Sequence, residues 1–341
     1  MKEQPRKLIG IIAETAGVAL VILIVTLLLA EGIIRLVNPF PKVQVIRRDR
    51  IEMFQDGDVP IWIQDLKRMN LDCPDMHPDA RLVVFSGDSI FFGSGLQTED
   101  AFTTLMQQEL DRRDGPGAWC ILNLSQPGYS VEQKIYWLAR LMKRHTPDLV
   151  YWEVWPNESN RYRMIGDAAY NMAGVDGDTG RLPGFVPGPE WLRTWLFLNS
   201  RFFEYMVLTM FELEPFRSSW VTGVYLPMLE EYRAALRARG SDFSLVVATR
   251  LDMPFSMMRS PRLDPQTVML DIASSHDIRM LFLHQLLLQA EADYMEIRYD
   301  PCCHFNEKGH RLLADIFLRI VAEDSDRGAP KEPAETGADV E

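Results

Sequence analysis

The residues best suited to chemistry begin at positions 81–95, RLVVFSGDSIFFGSG. An apolar run from Leu82 to Phe85 leads into a Gly87-Asp88-Ser89 turn. Beta-branched and aromatic residues favour an extended strand, and Gly87 permits a sharp turn where a Cβ would clash. A serine just past a strand end, on a turn opening toward a helix, stands at the carboxyl edge of a sheet with free backbone N–H groups beside it. A nucleophile for acyl transfer is wanted there. On the tripeptide alone, a turn with no chemical role is the competing reading.

Acyl transfer through serine also needs a base, a group that orients the base, and donors for the oxyanion. Three later stretches carry those residue types. Asn123-Leu-Ser-Gln-Pro-Gly128-Tyr129 follows the next apolar strand. Gly128 either lets its backbone approach a substrate closely or makes a plain turn after Pro127. Trp155-Pro-Asn157-Glu158 follows the third strand, and Asn157 is either a donor or a helix cap or turn residue. Near the C-terminus comes Asp300-Pro-Cys-Cys-His304-Phe-Asn-Glu-Lys-Gly309-His310. Of the six histidines, His304 taken alone reads as structural or as a base, and His310 falls inside the last expected helix, where it packs or caps.

A serine block, a glycine block, an asparagine block and a histidine block in this order resemble the SGNH (GDSL-type) hydrolase superfamily, over about residues 80–322. The resemblance implies a three-layer α/β/α sandwich with a mostly parallel, flavodoxin-like sheet. It makes Ser89 the nucleophile, His304 the base and Asp300 the orienting acid. It makes the Ser89 N–H, the Gly128 N–H and the Asn157 side chain the oxyanion hole. Two departures stand out. The family usually has Gly-x-Asn-Asp where this chain has Trp-Pro-Asn157-Glu, and its orienting aspartate lies three residues before the base, a place held here by Pro301. A bulge absorbs the extra residue, or a backbone carbonyl orients the base, or the acid role is lost. The implied activity is that of a serine esterase or acyltransferase on a short acyl ester, acetyl foremost, of a carbohydrate, with no cofactor and no metal. The rival expectation is a catalytically silent subunit of the same fold that binds a glycan or assembles a membrane-protein complex. A lipid esterase is a third.

The elements that must position these groups alternate. Residues 101–113 carry apolar residues at helical spacing, 119–124 read as a strand, 131–145 as a helix and 149–154 as a third strand. Such alternation predicts a parallel sheet covered on both faces. Residues 158–222 interrupt it with a Gly-rich loop and an aromatic segment, 191–216, expected as a lid or cover. Arg193, Arg201 and Glu204 break that segment as a second span, and a place at a membrane interface is the other reading. A helix at 224–238, strands at 243–249 and 278–283, a helix near 265–275 and a final helix at 307–322 complete the domain. The Pro-, Glu-, Asp- and Gly-rich tail at 323–341 is expected to be disordered.

The first 37 residues predict one transmembrane anchor, because Thr15 to Ala30 is uncharged and the apolar run extends back to Leu8. A cleaved signal peptide is the rival, disfavoured by the length of the run and by the apolar residues after it. Residues 38–80 read as a connector. Basic residues flank both ends of the span, so the positive-inside rule does not favour a cytoplasmic N-terminus. The family resemblance puts the catalytic domain outside the cytoplasm, in the periplasm of a Gram-negative cell. The expected partners are a carbohydrate or small ester substrate, the lipid bilayer and a membrane-protein complex. A net charge of −12 on 341 residues argues against nucleic acid. Four cysteines allow a bridge in an oxidising compartment without saying which. Cys302-Cys303-His304 is poorly spaced for one zinc, and Asp176-Gly-Asp178 lacks the later ligands of a calcium loop. There is no Gly-x-Ser-x-Gly elbow.

Overall fold

The structure is a computed structural model that describes residues 4–37, 45–47, 52–56, 59–154, 162–165, 168–171, 188–212, 226–249, 251, 278–300 and 303–328. In chain order the elements are α1 (Gln4–Val37), β1 (Val45–Arg47), β2 (Glu52–Asp56), β3 (Val59–Ile63), α2 (Leu66–Met69), α3 (Cys73–Met76), β4 (Arg81–Ser86), α4 (Ser89–Phe92), α5 (Phe102–Asp114), β5 (Trp119–Asn123) and α6 (Val131–Met142). They continue with β6 (Leu149–Val154), β7 (Tyr162–Ile165), β8 (Ala168–Asn171), α7 (Glu190–Asn199), α8 (Arg201–Glu212), α9 (Leu226–Arg237), β9 (Asp242–Val247), β10 (Arg279–Phe282), α10 (Leu283–Gln289), α11 (Tyr294–Ile297) and α12 (Glu307–Gly328). The chain divides into two compact units, 1–46 with 161–217, and 47–160 with 218–341.

The larger unit is built on five parallel strands in the order β10-β9-β6-β4-β5. The chain leaves β4 for β5 on one side and returns to β6 on the other. The strand order therefore reverses at β4, and in open α/β sheets ligands bind at the carboxyl ends of the strands beside such a reversal. Alternation along the strands separates two buried faces. Val83, Phe85, Ile121, Leu149 and Tyr151 pack with α5, α10 and α12. Phe85 stacks on Tyr151 at 5.1 Å and meets Phe91, Phe102 and Phe317 edge-on at 5.6, 5.0 and 5.1 Å. Burying a side chain of this size stabilises by roughly 1.5–3 kcal/mol. On the other face Trp152 lies under Lys134 of α6. This is the α/β architecture that the alternation predicts.

Two expected boundaries are corrected. Residues 38–80 are not merely a connector: Ile61, Trp62, Met69 and Cys73 are buried, and β3 pairs with β2 in an antiparallel hairpin. Their apolar side chains pack where a linker would be solvated. The tail from 323 is not disordered at its start, because α12 runs to Gly328. Asp324 is buried there, accepts the Tyr151 hydroxyl at 2.7 Å and pairs with Arg279, so its charge is compensated inside the fold. Cys73 is bridged to Cys120, and Cys303 is also disulfide-bonded. The expected helix near 265–275, the Gly-rich loop and the Asp176 motif lie outside the described residues.

In the smaller unit, Thr15–Val37 is long and apolar enough to cross a membrane, with a mean hydropathy of 2.7 and none of it buried. Near its end Glu31 accepts hydrogen bonds from Ser200 Oγ and from the Arg201 and Phe202 N–H groups at 2.8, 3.0 and 2.9 Å. A carboxylate on the N-terminus of α8 satisfies two otherwise unpaired donors. The strands of this unit form a sheet in the order β1-β8-β7.

Candidate active site

Ser89 begins α4, one residue past the Asp88 cap, whose Oδ1 accepts the Ile90 N–H at 3.2 Å. The turn is held from below by Glu153, near the carboxyl end of β6. Its Oε2 accepts the Asp88 N–H at 2.9 Å and the Phe91 N–H at 3.3 Å. Glu153 is fully buried, and burial followed by the nearby Asp88 raises its carboxyl well above the usual range, against the pull of Lys134. The Lys134 ammonium, also fully buried, donates to the Glu153 carbonyl at 2.7 Å. From the side, Asn123 at the end of β5 donates to the Phe91 carbonyl at 2.7 Å and to Thr103 Oγ1 at 3.2 Å. Among the described residues the Ser89 N–H makes no hydrogen bond, so it is free to face a substrate.

The loop after α4 is clamped by Arg68, which is 5% exposed and donates to the carbonyls of Phe92, Gly93 and Leu96 at 2.7, 3.0 and 2.7 Å. The Gly128 loop is fixed by β3. Trp62 Nε1 donates to the Pro127 carbonyl at 3.0 Å, and the Tyr129 hydroxyl donates to the Trp62 carbonyl at 2.5 Å. Gln126 Oε1 takes the Gln64 N–H at 2.7 Å. Gly128 adopts φ 78°, the left-handed region that favours glycine.

His304 stands on a turn shaped by Asp300. Asp300 Oδ1 accepts the Cys303 and His304 N–H groups at 3.0 and 3.3 Å, and Oδ2 meets the His304 ring at Nδ1. The four-residue spacing is thus accommodated by a turn closed on the carboxylate itself. Partial burial works to raise the Asp300 carboxyl, but those N–H groups and the imidazole outweigh it and hold the carboxyl at about 2. His304 Nε2 is buried and makes no hydrogen bond among the described residues. Ser89 Oγ does not reach it; the hydroxyl donates to Asp88 Oδ1 at 3.4 Å. The two segments nevertheless pack together, because a Cβ on Gly95 would lie 2.8 Å from the Tyr299 ring, next to Asp300. Asp300, Cys303 and His304 offer metal-ligand atoms within 4.8 Å of one another, but the disulfide leaves Cys303 no thiolate.

The Asn306-to-His310 run anchors this turn. Asn306 Oδ1 caps α12 on the Gly309 N–H at 3.0 Å, while its amide donates to the carbonyls of Glu296 and Arg298 at 2.8 and 3.1 Å. A Cβ on Gly309 would come within 2.6 Å of the Ile297 carbonyl, so only glycine fits. His310 both packs and caps: it is buried, and its Nδ1 accepts the Phe102 N–H at 3.1 Å, at the start of α5. The structure therefore brings Asp300 to His304 and puts the Ser89 and Gly128 loops at carboxyl ends of the sheet. Asn157 lies outside the described residues. Sequence reasoning missed Glu153, Lys134, Arg68 and Trp62. A glutamate inside the run LVYWEV was the available signal for the first; Trp62 had none.

No protein-family model matches the chain, and no curated protein matches it. Solved structures show distant similarity to it. A lipolytic protein of the G-D-S-L family from Veillonella parvula is 16% identical, with 71% of this chain and 97% of that one covered and a TM-score of 0.39. A psychrotrophic esterase from Pseudoalteromonas sp. is 14% identical, with 72% and 99% covered and a TM-score of 0.40. The lipase/acylhydrolase from Enterococcus faecalis is 14% identical, with 74% and 100% covered and a TM-score of 0.41. Similarity this distant leaves activity to be read from the chain's own residues.

Proposed function

We propose that the protein is a membrane-anchored serine esterase or acyltransferase of the SGNH type, acting on a short acyl ester, acetyl foremost, of a carbohydrate. The observation that carries this reading is the Asp300–His304 pair. It fixes the Nδ1 proton of the imidazole and leaves Nε2 unengaged on a turn packed against the loop that follows Ser89. Catalysis needs the serine hydroxyl to leave Asp88 for His304 Nε2, and catalytic hydrogen bonds commonly form or tighten only with substrate bound.

Ser89 Oγ attacks the acyl carbonyl and passes its proton to His304 Nε2. The oxyanion is held by the Ser89 N–H, the Gly128 N–H and the Asn157 side chain. Collapse expels the alcohol, which takes the proton from His304, and leaves the acyl group on Ser89. Water or a sugar hydroxyl then completes hydrolysis or transfer through the same base. Asp300 keeps the imidazole in the right tautomer and stabilises the imidazolium. The disulfides suit an oxidising compartment, which supports a catalytic domain outside the cytoplasm. In the domain plan we propose, residues 1–37 anchor the chain and 81–322 carry the chemistry.

One observation favours a second reading, a catalytically silent subunit that binds a glycan or builds a membrane complex: the Ser89 hydroxyl rests on Asp88 and not on His304. A fluorophosphonate probe decides between them. Labelling of the parent that disappears in Ser89→Ala and falls strongly in His304→Ala supports the enzyme. A folded parent that takes no label sinks it and turns attention to membrane partners. Preference for long over short acyl chains would count against the acetyl-sugar substrate.

A further inference from the structure

We infer that the α7–α8 hairpin lies in the headgroup layer of a lipid bilayer, stapled to the emerging end of α1 by Glu31, with Trp191 and Trp195 facing the lipid. This rests on the reading of α1 as a membrane span. Glu31 is the first charge after the uncharged run from Thr15 to Ala30, so it marks the end of the hydrocarbon. Its carboxylate caps the N-terminus of α8 through the Arg201 and Phe202 N–H groups. One turn further along α1, Arg35 pairs with Glu31 at 2.7 Å and donates to the Asn199 carbonyl at 3.1 Å, at the C-terminus of α7. The ends where α7 and α8 meet are therefore held at one turn of α1, a depth range of about 6 Å.

Trp191 and Trp195 are four residues apart on α7 and share a face. They are 71% and 57% exposed, whereas Phe197 on the same helix is 2% exposed. Trp191 is eight residues from Asn199, so it lies within about 12 Å of the Arg35 contact. Two large aromatic rings left in water beside the end of an apolar helix are unfavourable. At the headgroup layer their apolar bodies and polar N–H groups are both satisfied, which is why tryptophan gathers there. The uncovered side chains of α1 from Val18 to Leu29 continue the same apolar surface into the hydrocarbon. A neighbouring membrane protein is the other class of occupant, and the test separates it.

The full-length protein is reconstituted in vesicles of phosphatidylethanolamine and phosphatidylglycerol that include acyl-brominated phospholipid. Brominated lipid is expected to quench part of the parent's emission. That part should vanish in Trp191→Phe/Trp195→Phe, which changes two of eight tryptophans, and shrink in Glu31→Gln. All three proteins should resist a carbonate wash. Quenching that the double substitution leaves unchanged, in protein that stays in the membrane, overturns the proposal and gives this face to a protein partner. Release of the parent by carbonate overturns the anchor reading itself, and the proposal with it.

Discussion

The Glu153 carboxyl lies so close to Gly87 that a Cβ on Gly87 would overlap its Oε2 and sit 2.8 Å from the Glu153 Cβ. The glycine two residues before the serine is thus dictated by the neighbouring strand, not by the turn alone. Gly87→Ala should destabilise the fold by about 1–3 kcal/mol through overpacking, read by chemical denaturation. Glu153→Gln keeps an oxygen for the Asp88 and Phe91 N–H groups and should stay near the parent in stability, while Glu153→Ala strands both donors and should not. A glutamine variant as unstable as the alanine variant would show that these two bonds are not what Glu153 contributes.

Asp300→Asn preserves shape but removes the charge that fixes the His304 tautomer. On the proposed mechanism, turnover of a short-chain ester should fall by about 10²–10⁴-fold in kcat with KM little changed. Unaltered kcat would mean that a different group orients the base.

His310 is buried with its imidazole neutral. Burial, then Arg68 and His304, lower its pKa from 6.5 to about 3. Its folded value is the depressed one, so its contribution to stability is complete above pH 6.5 and is lost as pH falls toward 3. The slope should approach about 1.4 kcal/mol per pH unit. Asp300 acts in a lower window, from 3.8 down to about 2. Denaturation midpoints measured from pH 7 to 4 should fall in the parent and flatten in His310→Asn, whose side-chain oxygen can take the Phe102 N–H. Equal slopes in the two proteins would rule out His310 as the source.

Asp324→Ala strands the Tyr151 hydroxyl and should cost about 1–3 kcal/mol. Ending the chain at residue 323 should lower the melting temperature, and ending it at 328 should not. Equal melting of the two truncated proteins would remove α12's last turns from the fold's support.

The sheet and the serine turn were legible because β4, β5 and β6 are short apolar runs bounded by turn residues, and such runs announce themselves locally. His304 and Asp300 were legible through the Asn306–Gly309 run, whose cap and close approach demand those residue types. The support beneath Ser89 was not. Glu153, Arg68 and Trp62 act through contacts between distant segments, and nothing in their neighbours marks them. Residues 59–80 read as a linker because their three short elements carry no long period, yet their side chains hold both loops of the candidate site. The end of α12 was misjudged for a related reason. Acidic residues read as solvated until Arg279 and Tyr151, far back in the chain, supply their partners.

Phe317, in the last helix, completes the ring cluster around Phe85, Phe91, Phe102 and Tyr151. A chain is made from its N-terminus, so the strands are finished long before that ring arrives. Until then the growing polypeptide carries an open aromatic patch directly beneath its serine turn. The patch is covered only once α12 has been made, so the sheet cannot finish its core before that helix joins it.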